Sequence, residues 1–164
     1  MDEVARLKDK SDIQQTILNY AWGIDSRDWK LFRSIFADDL VMDFSSYSGK
    51  PASKITGDEW VAGCQAMLPG FDATQHVLTN FMIEVEEDEA TAIVYMKAEH
   101  FIANVLGDNA HTLGGHYIHK LKRHGERWLI HATTLMVTWS WGNRQVYELA
   151  RQRVAESGSN THIS

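Results

Sequence analysis

At His76 the chain changes texture, and that change restricts its fold more than any other feature. Before it, apolar residues recur at steps of three and four; after it, β-branched and aromatic residues dominate four long runs at roughly 77–86, 90–104, 111–123 and 127–140. Turn signals separate the runs at Glu86-Glu87-Asp88, Gly107-Asp108-Asn109 and Arg123-His124-Gly125-Glu126. Sequential hairpins of this kind predict an antiparallel meander. The helices that precede it must cover one of its faces to bury their own apolar stripes, and a curved sheet wrapped round helices encloses a cavity.

The upstream half supplies three such helices. Ser11 or Asp12 can cap the first, whose apolar face is Ile13, Ile17, Leu18, Ala21 and Ile24. The second, from about Asp28 to Ala37, places Leu31, Phe32, Ile35 and Phe36 on one side, and Asp25-Ser26-Arg27-Asp28 joins the two. A short strand over Asp39 to Ser45 leads into a loop, Ser45 to Lys54, long enough to act as a flap. Thr56 or Asp58 opens a third helix that runs to about Leu68 and is stopped by Pro69 and Gly70. The expected architecture is a cone-shaped α+β barrel, with three N-terminal helices packed on a curved, mostly antiparallel sheet. It forms one domain over residues 1–156, with an unstructured tail over 157–164.

Composition closes several functional classes. A net charge of −6 offers no electrostatic footprint for a phosphate backbone, so nucleic acid is not an expected partner. The segment Met1 to Lys10 is charged, and nowhere do eighteen apolar residues follow one another, so a membrane partner is not expected either. Cys64 is the single cysteine, which fits a reducing cytoplasm. His111, His116, His119, His124 and His131 are spread over the last two strands without the tight spacing of metal ligands, so no metal is expected.

Particular stretches then carry a resemblance. Asn19-Tyr20-Ala21-Trp22-Gly23-Ile24-Asp25, Gln75-His76-Val77-Leu78-Thr79-Asn80, Ala98-Glu99-His100, Gly114-Gly115-His116-Tyr117 and Gly125-Glu126-Arg127-Trp128 resemble the SnoaL-like branch of the nuclear transport factor 2-like superfamily over about residues 5–145. Asp25 and His76 are similar in position to the catalytic pair of scytalone dehydratase, bile-acid 7α-dehydratase and lindane dehydrochlorinase. Those are lyases that work without a cofactor. The resemblance implies a catalytic group of Asp25, His76, His100 and Tyr20, no cofactor, and a homo-oligomer, trimer or dimer, assembled through the sheet. The last strand has Thr133 and its neighbours where the dehydrochlorinase places an arginine, so no guanidinium stands ready for a leaving chloride.

The residues suit that chemistry. An imidazole can take a proton near neutral pH, and a carboxylate on its other nitrogen fixes the tautomer and steadies the imidazolium. On position alone Asp25 reads better as a turn or helix-ending residue, and His100 reads equally well as a histidine that shapes the pocket without moving protons. In a period-two count His100 shares a face with Ala92, Val94, Met96 and Ala98, expected to line the cavity. Trp22, Met42, Phe44, Tyr47, Leu78, Phe101, His116 and Trp139 are the expected substrate-binding wall, which suits a small hydrophobic cyclic molecule. Phe101 is in opposite phase to His100 and joins it only through a bulge. The expected activity is a dehydratase-like carbon–oxygen lyase. The alternatives are an isomerase or polyketide cyclase of the same fold, or a non-catalytic ligand-binding or oxygenase small-subunit-like protein.

Overall fold

A computed structural model describes residues 2–159. Helix α1 (Glu3–Asp25) packs beside α2 (Trp29–Ser34), and the chain then forms β1 (Phe36–Asp43), a one-turn α3 (Ser45–Ser48), β2 (Ser53–Thr56) and α4 (Gly57–Gln65). A 3₁₀ turn at Leu68–Gly70 leads into β3 (Ala73–Glu86), β4 (Glu89–Phe101), β5 (Ala110–His124) and β6 (Arg127–Gly142), and the described chain closes with α5 (Val146–Ser159). The six strands form one curved sheet in the order β2-β1-β6-β5-β4-β3, with only β1 and β6 parallel. The α+β cone expected from the sequence is therefore present.

Several boundaries differ, each for a local reason. Helix α1 begins eight residues before Ser11, because the charged first turns are tied down: Lys8 pairs with Asp12, and Asp9 is buried against Arg123 and Trp128. Helix α2 stops at Ser34, since Phe36 already starts a strand and the Ile35 carbonyl accepts the Ile130 amide. The expected flap is two short elements rather than an open loop. Thr56, not Asp58, caps α4 through a reciprocal capping box with Glu59. Helix α5 was not expected at all. Three residues of the expected tail, Ser157–Ser159, continue it, and residues 160–164 lie outside the described residues.

The concave face of the sheet holds the core. Ile13, Ile17 and Ile24 of α1 and Phe32 of α2 meet Phe36, Val94, Leu121, Trp128 and Ile130, all nearly inaccessible to water. The convex face is unlike it: Val77, Tyr95, Met136, Trp139 and Trp141 stand exposed there. Trp139 lies flat over Gly114, where a Cβ would come within 2.0 Å of the indole. No described helix is long and apolar enough to cross a membrane.

Candidate active site

The last residue of α1 reaches the start of β3. Strand parity turns Thr74 and His76 toward the helix, and the Asp25 carboxylate receives both. His76 Nδ1 lies 2.8 Å from Asp25 Oδ1, the His76 backbone N–H donates to Oδ2 at 2.7 Å, and the Thr74 hydroxyl donates to Oδ1 at 3.0 Å. Burial alone would push this carboxyl up, but the bonds to the His76 ring and amide and to Thr74 outweigh it and hold it below the usual carboxylate range. Asp25 is therefore an acceptor, and Nδ1 carries the imidazole's proton.

Behind the pair stands a residue the sequence did not flag. Arg27 adopts a left-handed backbone, φ 59°, and its guanidinium donates to the Ile24 carbonyl at 2.5 Å and to the Thr74 hydroxyl oxygen at 2.7 Å. A guanidinium only donates, so the Thr74 proton is directed to Asp25. The order of donation is thus set from Arg27 through Thr74 to the carboxylate.

His76 opens onto a cavity of about 350 Å³ inside the cone. Its Nε2 makes no hydrogen bond within the described residues, and the ring forms part of the cavity lining. The walls are apolar and aromatic: Phe44, Tyr47, Trp60, Met67, Leu113 and Leu135 among them, with the phenols Tyr20 and Tyr117 at 5.3 Å between ring centroids. Burial drives both phenols up and takes the Cys64 thiol, also in the wall, to about 12, so all three stay protonated at neutral pH.

His100 faces the same cavity from β4. Its ring is perpendicular to His76 at 5.7 Å and 4.9 Å from Tyr147, and its Nδ1 lies 3.1 Å from the Tyr147 hydroxyl. Burial first, and the neighbouring His76 second, bring it down to about 3, so this ring is neutral at physiological pH.

Of the expected site residues, the fold brings His76, His100 and Tyr20 together at the cavity, with Asp25 behind His76 and Phe44 and Tyr47 in the wall. The other wall residues stand elsewhere. Trp22, 200° round the helix from Tyr20, is 67% exposed. Met42 is buried core on β1 but does not reach the cavity. Leu78 has the parity of His76 yet lies one pair further along β3, where it lines a separate outer pocket with Leu18, Trp22 and Asp25. Phe101, His116 and Trp139 are on the convex face. β4 pairs with β5 without a bulge, so nothing turns Phe101 inward, and Trp139 pairs with the outward Gly114.

Trp60, Cys64, Met67, Leu113, Leu135 and Tyr147 were missed as cavity residues. Tyr147 had a signal, the helical spacing of Val146, Leu149 and Ala150. The scattered histidines remain apart: His119 bonds Thr133 at 2.9 Å deep in the core, and His124 stacks on His131 at the surface. Among the described residues no three His, Cys, Asp or Glu side chains converge as metal ligands would.

Comparison with known proteins follows the geometry. The family model described as a SnoaL-like domain matches residues 5–134. An uncharacterized protein of Mycobacterium tuberculosis is 28% identical over 94 residues, 57% of this chain, and that stretch spans 62% of the relative, under two thirds of its length. A Kribbella flavida protein of known structure superposes with a TM-score of 0.81 at 24% identity, covering 89% of this chain and 99% of that one. A candidate scytalone dehydratase of Novosphingobium aromaticivorans gives 0.71 at 18% identity over 85% and 90% of the two chains. The hexachlorocyclohexane dehydrochlorinase of type 3 from Novosphingobium barchaimii gives 0.73 at 16% over 87% and 95%. At these identities the solved structures carry the fold alone.

Proposed function

Because the chain belongs to the SnoaL-like domain family, we propose that it is a cofactor-independent lyase that removes water or a comparable group from a small hydrophobic cyclic or aromatic-derived molecule. One observation carries the reading: His76 Nδ1 sits 2.8 Å from Asp25 while the opposite edge of the ring borders an apolar cavity. An imidazole so held has one nitrogen occupied and the other ready to accept a proton.

The step balances with the residues present. Nε2 of His76 takes a proton from carbon, and the electron pair of that C–H bond becomes a C=C bond as the neighbouring C–O bond breaks toward oxygen. The imidazolium, steadied by Asp25, then returns its proton to the departing oxygen as water, and His76 is neutral again. His100, Tyr20 and Tyr117 are positioned to hydrogen-bond the oxygen as charge gathers on it. Neutral walls exclude charged ligands, since a buried unpaired charge costs several kcal/mol, on the order of the binding energy itself.

The same reading extends to assembly. The exposed apolar side chains of the convex face fit a homo-oligomer, dimer or trimer, built through the sheet, and the lone free thiol fits a reducing cytoplasm.

The test is incubation of the purified protein with one- and two-ring β-hydroxy ketones in deuterated water. The expected result is loss of water, or deuterium exchange at the acidic carbon, that disappears in His76→Ala. Exchange with unchanged product mass would instead identify an isomerase or cyclase. Neither elimination nor exchange dependent on His76, with ligand retention unaltered by His76→Ala, would replace the lyase with a binding protein.

A further inference from the structure

Helix α5 lies beyond the stretch that matches the family, yet it places Tyr147 in the cavity wall. The Tyr147 hydroxyl is 3.1 Å from two imidazole nitrogens, His100 Nδ1 on β4 and His111 Nδ1 on β5. His100 and His111 are directly paired across the two strands, so one tyrosine bridges adjacent rungs of the sheet. All three side chains are buried.

Counting protons limits what this bridge can be. A phenol has one proton and so can donate to only one of the two nitrogens; the second bond exists only if the other nitrogen donates to the phenol oxygen. Both rings are driven toward the neutral form by burial, so each has a single N–H to place. Three patterns remain. In one, His111 Nδ1–H donates to Tyr147, Tyr147 donates to His100 Nδ1, and the His100 proton sits on Nε2. In the second every donor is reversed, and in the third both Nδ1–H groups donate to the phenol oxygen while its own proton turns toward Tyr47, whose ring centre is 5.7 Å away; in both of these His100 Nε2 presents a lone pair.

The cavity decides between them. Asp25 takes the Nδ1 proton of His76, so His76 Nε2 already presents a lone pair to the cavity. His100 lines the same space, with the ring centres 5.7 Å apart, and with Nδ1 on Tyr147 its Nε2 is the nitrogen left for that space. Two lone pairs facing a small apolar chamber repel, whereas a donor beside an acceptor is complementary. In this pattern His111 Nε2 is left as an acceptor.

We propose that Tyr147, with His111 behind it, is a positioning residue that fixes His100 as the Nε2–H tautomer, so that the cavity offers a hydrogen-bond donor beside the His76 acceptor. A ligand that satisfies both carries an oxygen next to its acidic carbon: a ketone, or an alcohol one carbon away. A plain hydrocarbon or a halocarbon leaves the His100 N–H unmet. The tautomer assignment stands on geometry alone, whereas the ligand class rests on the lyase reading.

The experiment is a long-range proton–nitrogen correlation spectrum of the ¹⁵N-labelled full chain at pH 8, with His100 and His111 assigned by His100→Gln and His111→Gln. The expected pattern is opposite tautomers, Nε2–H at His100 and Nδ1–H at His111, with the His100 pattern averaging toward a mixture in Tyr147→Phe. Nδ1–H at His100 in the unaltered protein overturns the proposal, as does a His100 pattern indifferent to Tyr147→Phe. The unaltered protein answers the first point even if the variant does not fold. On an elimination substrate Tyr147→Phe is expected to lower kcat on the order of ten- to a hundredfold with KM little changed. Opposite tautomers without any elimination would leave the positioning intact and remove only the lyase; elimination with the wrong tautomer would do the reverse.

Discussion

Helix α1 carries two carboxylates inward, Asp9 near its start and Asp25 at its end, and each is saturated by donors from the sheet. Asp9 receives both arms of the Arg123 guanidinium at 2.9 and 2.8 Å and the Trp128 indole N–H at 3.2 Å, with Arg123 also stacked 4.5 Å over that indole. Asp25 receives the His76 ring and amide and the Thr74 hydroxyl. Both are held below the usual carboxylate range, Asp9 chiefly by its bonds to Arg123 and Asp25 by bonds that overcome its burial. What separates them is the partner. A guanidinium keeps its protons at any physiological pH and has no acceptor, so the Asp9 cluster can only fasten the helix. An imidazole has a second nitrogen, and at Asp25 that nitrogen faces a cavity.

The sharpest break of this contrast is to neutralise each acid in turn. Asp25→Asn is expected to reduce turnover about 10³- to 10⁴-fold per folded molecule, as loss of the orienting carboxylate does in hydrolytic triads, beyond any loss of stability from the hydrogen bonds it gives up. Asp9→Ala is expected to cost about 2–3 kcal/mol in urea unfolding, with activity per folded molecule unchanged. If the two variants exchanged these signatures, the division between fastening and chemistry would fail.

The pH dependence of stability sharpens the comparison further. His100 and His119 are each lowered by burial from 6.5 to about 3, so between those values the unfolded chain binds protons that the folded chain refuses. Their contribution is complete above 6.5 and falls as pH decreases, by at most about 1.4 kcal/mol per pH unit for each ring. Asp9 and Asp25, lowered from 3.8, contribute fully above that value and lose their share only as pH falls below it. Urea midpoints measured from pH 8 to pH 4 should therefore decline before any carboxylate titrates, and His119→Gln should flatten the decline. The smallest effect belongs to Trp22→Ala, which removes an exposed side chain outside the cavity. Stability should change by about 0.5 kcal/mol or less, with kcat unaltered.

Much of the frame could be read from residue order, because local periodicity and turn chemistry act over a few positions. The four long strands, the phase of His100 and the capping of α4 by Thr56 are of that kind. What the sequence hid depends on contacts between distant segments. Alternation gives the parity of Phe101, His116 and Trp139 but not which face of the sheet is concave, and aromatic content drew them wrongly toward the cavity. Leu78 had the right parity and the wrong depth. The sequence started the first helix only at Ser11 or Asp12, because the partners of Asp9, Arg123 and Trp128, lie more than a hundred residues away. Arg27 and Thr74 are ordinary residues in a turn and a strand until folding stacks them behind Asp25. The dyad itself came from family resemblance rather than from spacing, and its geometry became visible only when α1 met β3.

The docking of α5 has its own consequence. At Gly70 the helix rests backbone on backbone, so close that a Cβ there would come within 2.0 Å of the Ala150 carbonyl oxygen, and Arg153 to Asp72 and Arg144 to the Tyr47 carbonyl pin its flanks. A seat without side chains has nothing to compress or rotate, so the helix cannot ride up by degrees. Tyr147 is carried on this helix, so its place in the cavity wall is fixed by a backbone contact rather than by the packing of its own side chain.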